Sequence, residues 1–243
     1  MKIEVSTVSG ITNTKKNKIN MKNEFNWGNS PQSVIDAISK ELFERKEYEQ
    51  IYPVKTGDVV LDLGSSIGPF TWSIMDKASK VYAVEPMSDR CQMIHTNTQG
   101  YNVEIIKGIV YHSNGEIEFN DGCFPGGEER VKTFTFQTFL KENNIDKIDF
   151  IKTDCEGGEY HLFRDENMNF LRNNVRSIVG EWHLSKNNPE HKVEFRYFRD
   201  KYLKQFPNYE VYSVDGVNIK WDLWNEHFIE YYDEVIIHIN NET

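Results

Sequence analysis

The stretch "IDFIKTDCEGGEYHLF", residues 148–163, places Asp154, Glu156 and Glu159 within six residues of one another. Such carboxylates repel each other unless a cation or hydrogen-bond donors answer them. A sulfonium ligand, a metal ion or backbone N–H groups would each do so. Acids near a helix start are favourable in their own right, and Glu159 suits that capping role as well as a functional one. Asp154 suits it poorly. At a strand end, alternation sends Asp154 and Glu156 to the same side. A second stretch, "VGEWHLS", presents Glu181 and His183 to one side and Trp182 to the other. An imidazole titrates in the range needed to take a proton from a hydroxyl. Asp154, Glu181 and His183 equally suit a magnesium or manganese ion that polarises a hydroxyl. His183 is otherwise a strand-end histidine bonded to a loop. Asp154, Glu181 and His183 are the candidate catalytic residues, and a divalent metal stays an open alternative.

The stretch "VVLDLGSSIGPF", residues 59–70, ends a short apolar strand in Asp62 and turns on Gly64 and Gly68. The glycines let a ligand lie against the main chain, and the helix expected from Pro69 offers unpaired N–H groups. A phosphate loop would need a Gly-Lys-Ser/Thr, and a dinucleotide fingerprint a middle glycine. Here Ser65 and Ser66 follow Gly64. A carboxylate at the loop mouth repels a pyrophosphate and suits a zwitterion or cation. S-adenosyl-L-methionine, with its ammonium, carboxylate and sulfonium, fits; the bland reading is a strand–turn–helix with a solvated aspartate. The next strand, "VYAVEP", ends in Glu85 and Pro86. An acid at that offset accepts hydrogen bonds from ribose hydroxyls, which indicates a nucleoside without separating S-adenosyl-L-methionine from NAD. The expected cofactor contacts are Asp62, Gly64, Ser65, Ser66, Gly68, Glu85, Pro86, Asp154 and Glu156.

The elements that must position these residues alternate. Strands are expected at 59–63, 81–86, 102–108, 148–154 and 175–184, with helices at 69–79, 88–99, 135–144, 158–174 and 189–206. An earlier helix spans 29–52, with Ser30 able to cap it and Val34, Ile35, Ile38 and Leu42 on one face. Residues 115–136 alternate like a hairpin around a loop of Gly122, Pro125, Gly126 and Gly127, and 209–216 with 233–240 read as a closing hairpin. In the helix at 189–206, Phe195, Phe198, Tyr202 and Phe206 line one face. Strand–helix alternation predicts an α/β fold, a mostly parallel sheet with helices on both faces. Ligands in such sheets sit at the carboxyl ends of the strands, where the acids above fall.

The 243 residues suit one domain over 25–243 behind a polar extension, residues 1–24, that holds five lysines against two glutamates. A net charge of −10 with no arginine block argues against nucleic acid as partner. Cys91, Cys123 and Cys155 lie far apart, which points to free thiols in a reducing, cytoplasmic setting. No apolar run is long enough to span a membrane. His161, His191 and His227 read as surface or packing residues. Trp221 and Trp224 suit stacking on a sugar or the core of the last hairpin, and Trp27 suits covering the cofactor or stapling the first helix.

Together "VVLDLGSSIGPF", "VYAVEP", the Asn97 region and "IDFIKTDCEGGEYHLF" resemble the FkbM family of S-adenosylmethionine-dependent methyltransferases. The match falls on Asp62, Gly64 and Gly68, on Glu85 and Pro86, and on Lys152, Asp154, Glu156, Gly157 and Glu159. The resemblance implies a Rossmann-like class I methyltransferase fold with a seven-stranded sheet. It also implies methylation of a hydroxyl on a sugar, glycan or natural-product acceptor. The segments before 30 and after 190 carry no family motif and are expected to hold acceptor specificity. The rival readings are an NAD-dependent oxidoreductase, a cofactor-binding module without catalysis, and methylation of nitrogen. Against the last, "TDCEGG" stands after the fourth strand where many nitrogen-directed enzymes carry Asn/Asp-Pro-Pro-Tyr.

Overall fold

The computed structural model describes residues 25–120, 128–184 and 188–242. The expected extension at 1–24, the loop of Gly122, Pro125, Gly126 and Gly127, and Cys123 lie outside the described residues.

Apolar, largely β-branched segments form β1 (Val59–Leu63), β2 (Lys80–Glu85), β3 (Val103–Lys107), β7 (Ile148–Thr153) and β8 (Val175–His183), all parallel. β9 (Asn208–Ser213) and β10 (Glu234–Asn240) complete a seven-stranded sheet in the order β3-β2-β1-β7-β8-β10-β9. A smaller sheet holds β4 (Ile109–Val110), β6 (Glu129–Phe134) and β5 (Gly115–Phe119) in that order. The 115–136 alternation is thus a real hairpin, with β5 antiparallel to β6, but it stands apart from the main sheet. The last two strands do pair antiparallel, with β10 inserted between β8 and β9.

The first helix is shorter than its sequence suggests. α1 (Gln32–Ser39) begins after Pro31, and Ser30 supplies no side-chain cap; a π turn at Lys40–Arg45 follows, ending at left-handed Lys46. α2 (Pro69–Ile74), α3 (Ser88–Asn97) and α4 (Phe136–Glu142) fall where expected. The expected helix at 158–174 divides into a 3-10 turn, Glu159–His161, and α5 (Asp165–Asn173). Glu159, Tyr160, Leu162 and Phe163 are all buried. One continuous helix shows a single face to the core and would leave some of them in water. α6 (Pro189–Tyr197) passes through a π turn, Phe198–Tyr202, which keeps Phe195, Phe198, Tyr202 and Phe206 all in the core. A short α7 (Glu226–Tyr231) precedes β10.

The sheet separates two apolar layers. Leu61, Leu63, Ile151, Ile178, Trp182 and Ile237 pack toward α4, α5, α6 and α7. Val60, Val81, Phe150, Val179 and Ile236 pack on Tyr48, Phe70 and Ile74 on the other side. The chain leaves β1 outward to β3 and returns to β7 on β1's other flank. That reversal opens a crevice at the carboxyl ends of β1 and β7. Among the described residues, no helix is long and apolar enough to cross a membrane.

Candidate functional site

Register decides which side chains share the crevice. Asp62 lies opposite Ala83 and Lys152, Lys152 opposite Val179, and His183 opposite Glu234. With a period of two, Asp62, Glu85, Lys152, Glu181, His183 and Glu234 all project from the face that carries Val60 and Phe150. A cavity of about 700 Å³ opens there. Its walls include Gly64, Ser65, Ser66, Glu85, Pro86, Asp154, Glu156 and Glu181.

At the β1 end, the N–H groups of Gly64 and Ser65 donate to Val84 O, both at 3.1 Å. A Cβ on Gly64 would stand 1.9 Å from Asp154 O, so only glycine lets the β1 and β7 loops touch. Glu85 is almost wholly buried. Its Oε2 accepts from Ser66 N at 2.9 Å and its Oε1 from Met87 N at 3.0 Å. Burial pushes its carboxyl up to about 7, against those N–H groups and Arg90. Asp62 and Gly68, expected to touch the cofactor, do not line the cavity. Asp62 has no exposed surface. It accepts from Thr71 Oγ1 at 2.6 Å and lies 3.5 Å from Lys152 Nζ. A carboxylate in a buried strand faces the sheet's own cation before it faces a ligand.

Lys152 joins the two halves. Its Nζ donates to Gly64 O at 2.9 Å and lies 3.6 Å from Asp154 Oδ2. Burial opposes its charge, but Asp62 and Asp154 outweigh that and raise its pKa. Tyr48, buried behind the π turn, donates its hydroxyl to Asp154 Oδ2 at 3.0 Å.

At the β8 end, Glu159 is fully buried. Its Oε1 accepts from Cys155 N at 2.8 Å and Gly157 N at 3.2 Å, and meets His183 Nδ1 at 3.0 Å. It therefore organises the β7 loop and the imidazole, beyond a capping role. Glu156, at φ +53, is no longer in the strand, so alternation does not place it. The turn nevertheless brings its Oε2 to 3.4 Å from His183 Nε2. Glu181 Oε1 lies 3.5 Å from the same nitrogen. His183 does not itself line the cavity, whereas Glu156 and Glu181 do. Burial, with Asp154 nearby, pushes Glu181 up to about 10. Burial opposes a charge on His183, but Glu159 dominates and raises it to about 10.

Other wall residues escape a sequence reading. Glu41 and Leu42 come from the π turn, and Val34 and Ile38 from α1. His161 and His191 line the cavity instead of serving only as packing. His161 stacks edge-on with Tyr111, and burial beside His112 lowers its pKa to about 4. Lys152 carried a signal, since it stands in the 152–159 motif; Tyr48 and Glu41 carried none. Trp27 packs with Phe25 and Ile67 and does not line the cavity. Trp221 and Trp224 are exposed, so they are not core, and they too lie outside the cavity.

A crevice at the switch point of a 3-2-1-7-8-10-9 sheet is the Rossmann-like class I methyltransferase fold. The Methyltransferase FkbM domain matches residues 57–206, and the chain belongs to that family. S-adenosyl-L-methionine is the cofactor that this membership implies. The FkbM methyltransferase structure from Methylobacillus flagellatus aligns with a TM-score of 0.51 at 13% identity, over 85% of this chain and 54% of that one. This chain thus spans about half of that protein's length. A fibrillarin/Nop5p complex structure aligns with a TM-score of 0.50 at 15% identity, over 84% of this chain and 81% of that one. These likenesses concern the fold. No curated protein matches the chain.

The cavity fits the cofactor chemically. Glu85 has lone pairs left for ribose hydroxyls after its two backbone bonds. The loop at Gly64–Ser66 brings main chain to the wall, and Asp154 supplies a carboxylate toward a sulfonium.

Proposed function

We propose that the chain transfers a methyl group from S-adenosyl-L-methionine to a hydroxyl of a small-molecule or glycan acceptor. One observation carries this reading: a single cavity runs from the Gly64–Glu85 walls to the Asp154–Glu181 walls. A nucleoside cofactor and an acceptor can therefore lie end to end, as in-line displacement needs. The bound cofactor supplies an electrophilic methyl on a positively charged sulfur. Glu85 holds the ribose, and the Gly64, Ser65, Ser66 and Pro86 walls enclose the nucleoside. Asp62 and Gly68 act from behind, by fixing Lys152 and the loop.

Asp154 is the carboxylate at the junction, oriented by Tyr48 and Lys152. It accepts the hydroxyl's hydrogen bond, aligns the oxygen and receives its proton. Positioning of this kind is worth about 7–11 kcal/mol in favourable cases, and a placed base adds about 10²–10⁴-fold. Glu181, holding its proton, and Glu156 extend the acidic wall past Asp154, with His183 held behind them by Glu159. That wall, with Glu41, favours a neutral or positively charged acceptor over a phosphorylated one.

The test is methyl transfer from labelled cofactor to a panel of glycans and hydroxylated natural products. An alkali-stable methyl ether is the expected product. Label found only in carboxylic esters or on nitrogen would overturn the reading. Asp154→Asn is expected to lower kcat by about 10²–10⁴-fold at saturating substrate.

A further inference from the structure

The polar side chains of the cavity wall divide in two. Tyr48, Glu85, Lys152 and Asp154 are already engaged by protein partners. His161 and His191 also line the cavity, yet among the described residues neither ring makes a hydrogen bond. A neutral imidazole left so keeps one donor and one acceptor for a ligand.

The fold holds both rings at one turn of the wall. His161 ends the 3-10 turn, where its N–H donates to Gly158 O at 3.1 Å. Its ring meets Tyr111 edge-on at 4.4 Å between centroids, and Tyr111 N donates to Phe134 O of β6 at 2.9 Å. His191 stands in the first turn of α6, which Lys192 and Glu230 at 2.7 Å, and Phe195 stacked on Phe228, fasten to α7. The ring lies over Gly157: a Cβ there would stand 2.2 Å from His191 Nε2, so any side chain at 157 would displace the ring. His191 Nδ1 is buried without a partner among the described residues, which leaves Nε2 as the edge at the wall. Among the described residues of the wall, His191 alone follows β8. It is the point where the segment beyond 190 reaches the cavity.

We infer that His161 and His191 are the specificity-determining pair of the acceptor subsite, and that they hold a neutral acceptor through hydroxyls next to the one that reacts. Burial, with His112 beside it, lowers His161 to about 4. Burial also lowers His191, which Glu159 opposes and the His183 cation reinforces. Neither ring carries charge at neutral pH, so neither offers an anion a partner. A neutral imidazole donates and accepts, as a hydroxyl does, so the pair matches a polyhydroxylated ligand.

Binding at this subsite stands without methyl transfer; its role in turnover rests on the methylation reading. The experiment saturates the full chain with S-adenosylhomocysteine and follows methyl α-D-glucopyranoside, methyl α-D-mannopyranoside and glucuronate by saturation-transfer NMR. A neutral glycoside should bind and the uronate should not. His161→Phe and His191→Phe keep a ring and remove its nitrogens, and each should weaken binding about tenfold. His161→Gln and His191→Gln keep a donor and an acceptor and should recover part of that loss. In methyl transfer each Phe variant should raise the acceptor KM about tenfold and lower kcat by less. S-adenosylhomocysteine affinity should be unchanged in calorimetry, which also verifies folding. No neutral glycoside bound, uronate bound as well as the glycosides, or wild-type acceptor affinity in both folded Phe variants overturns the subsite. Glycoside binding that both Phe variants lose, with no methyl ether formed, leaves the subsite standing and overturns the methylation reading. A methyl ether formed with unaltered acceptor KM in both variants does the reverse.

Discussion

At the residue scale, the site depends on buried charges that answer one another. Lys152 is 4% exposed and stands between Asp62 and Asp154. Removing one partner of a buried pair leaves the other uncompensated, at about 3–5 kcal/mol. Lys152→Met should therefore lose about that much in urea unfolding. Lys152→Arg should not restore it, because a planar fork does not reproduce a point donor to Gly64 O. Glu85 yields a pH prediction. The folded carboxyl titrates near 7, the unfolded one near 4.5. Between those values the folded chain holds a proton that the unfolded chain has released. The group's contribution is full below about pH 4.5 and lost as pH rises through about 7. Arg90 on α3 and Lys152 on β7 face it with opposite charge, and Ser66 N and Met87 N donate to it. Ribose hydroxyls donating to the carboxylate favour its charged form. Cofactor binding should then release a proton near neutral pH, and affinity should rise from pH 6 to 8. Calorimetry in two buffers of different ionisation enthalpy measures that proton. Glu85→Gln should bind more weakly and show no pH trend. A trend that survives in Glu85→Gln would assign it to another group.

At the element scale, two loops meet on Gly64. Its φ is +74, and a Cβ there would strike Asp154 O, a backbone atom that cannot rotate away. Gly100, at φ +84 with nothing within 4 Å of its Cβ position, isolates the conformational cost, about 1–3 kcal/mol. Gly64→Ala should lower the unfolding temperature more than Gly100→Ala and should weaken cofactor binding, which Gly100→Ala should not. Equal effects would mean that the close approach adds nothing. The parallel strands were legible because their apolar runs are short and end in acids or glycines. The shared face of Glu181 and His183 was legible because alternation is local. The insertion of β10 between β8 and β9 was not, since a strand's pattern does not name its partner. Glu159 resembled a helix cap in sequence because its threefold role depends on Cys155, Gly157 and His183 arriving together. Tyr48 carried no signal, because its partner Asp154 lies across the sheet.

At the scale of the whole molecule, the cavity is built from more than the family-matched residues. Val34, Ile38, Glu41, Leu42 and Tyr48 precede residue 57. The entry segment reaches the cavity through one clamp. Asn97, at the end of α3, accepts from Asn26 N at 3.1 Å and donates to Asn26 O at 3.1 Å and to Ile67 O at 3.2 Å. Ile67 belongs to the cofactor loop and packs on Phe25 and Trp27, beside Ile35 and Ile38 of α1. A ligand that orders the loop therefore also orders α1. Cofactor binding should slow hydrogen exchange at 32–48 as well as at 64–68, with β9 and β10 unchanged. Asn97→Ala removes three hydrogen bonds at the surface, each worth about 1 kcal/mol, and spares both apolar layers. It should keep the protection at 64–68 and lose most of that at 32–48, with cofactor affinity reduced severalfold. Protection of 32–48 that persists undiminished in Asn97→Ala would show that α1 is held by its apolar face alone.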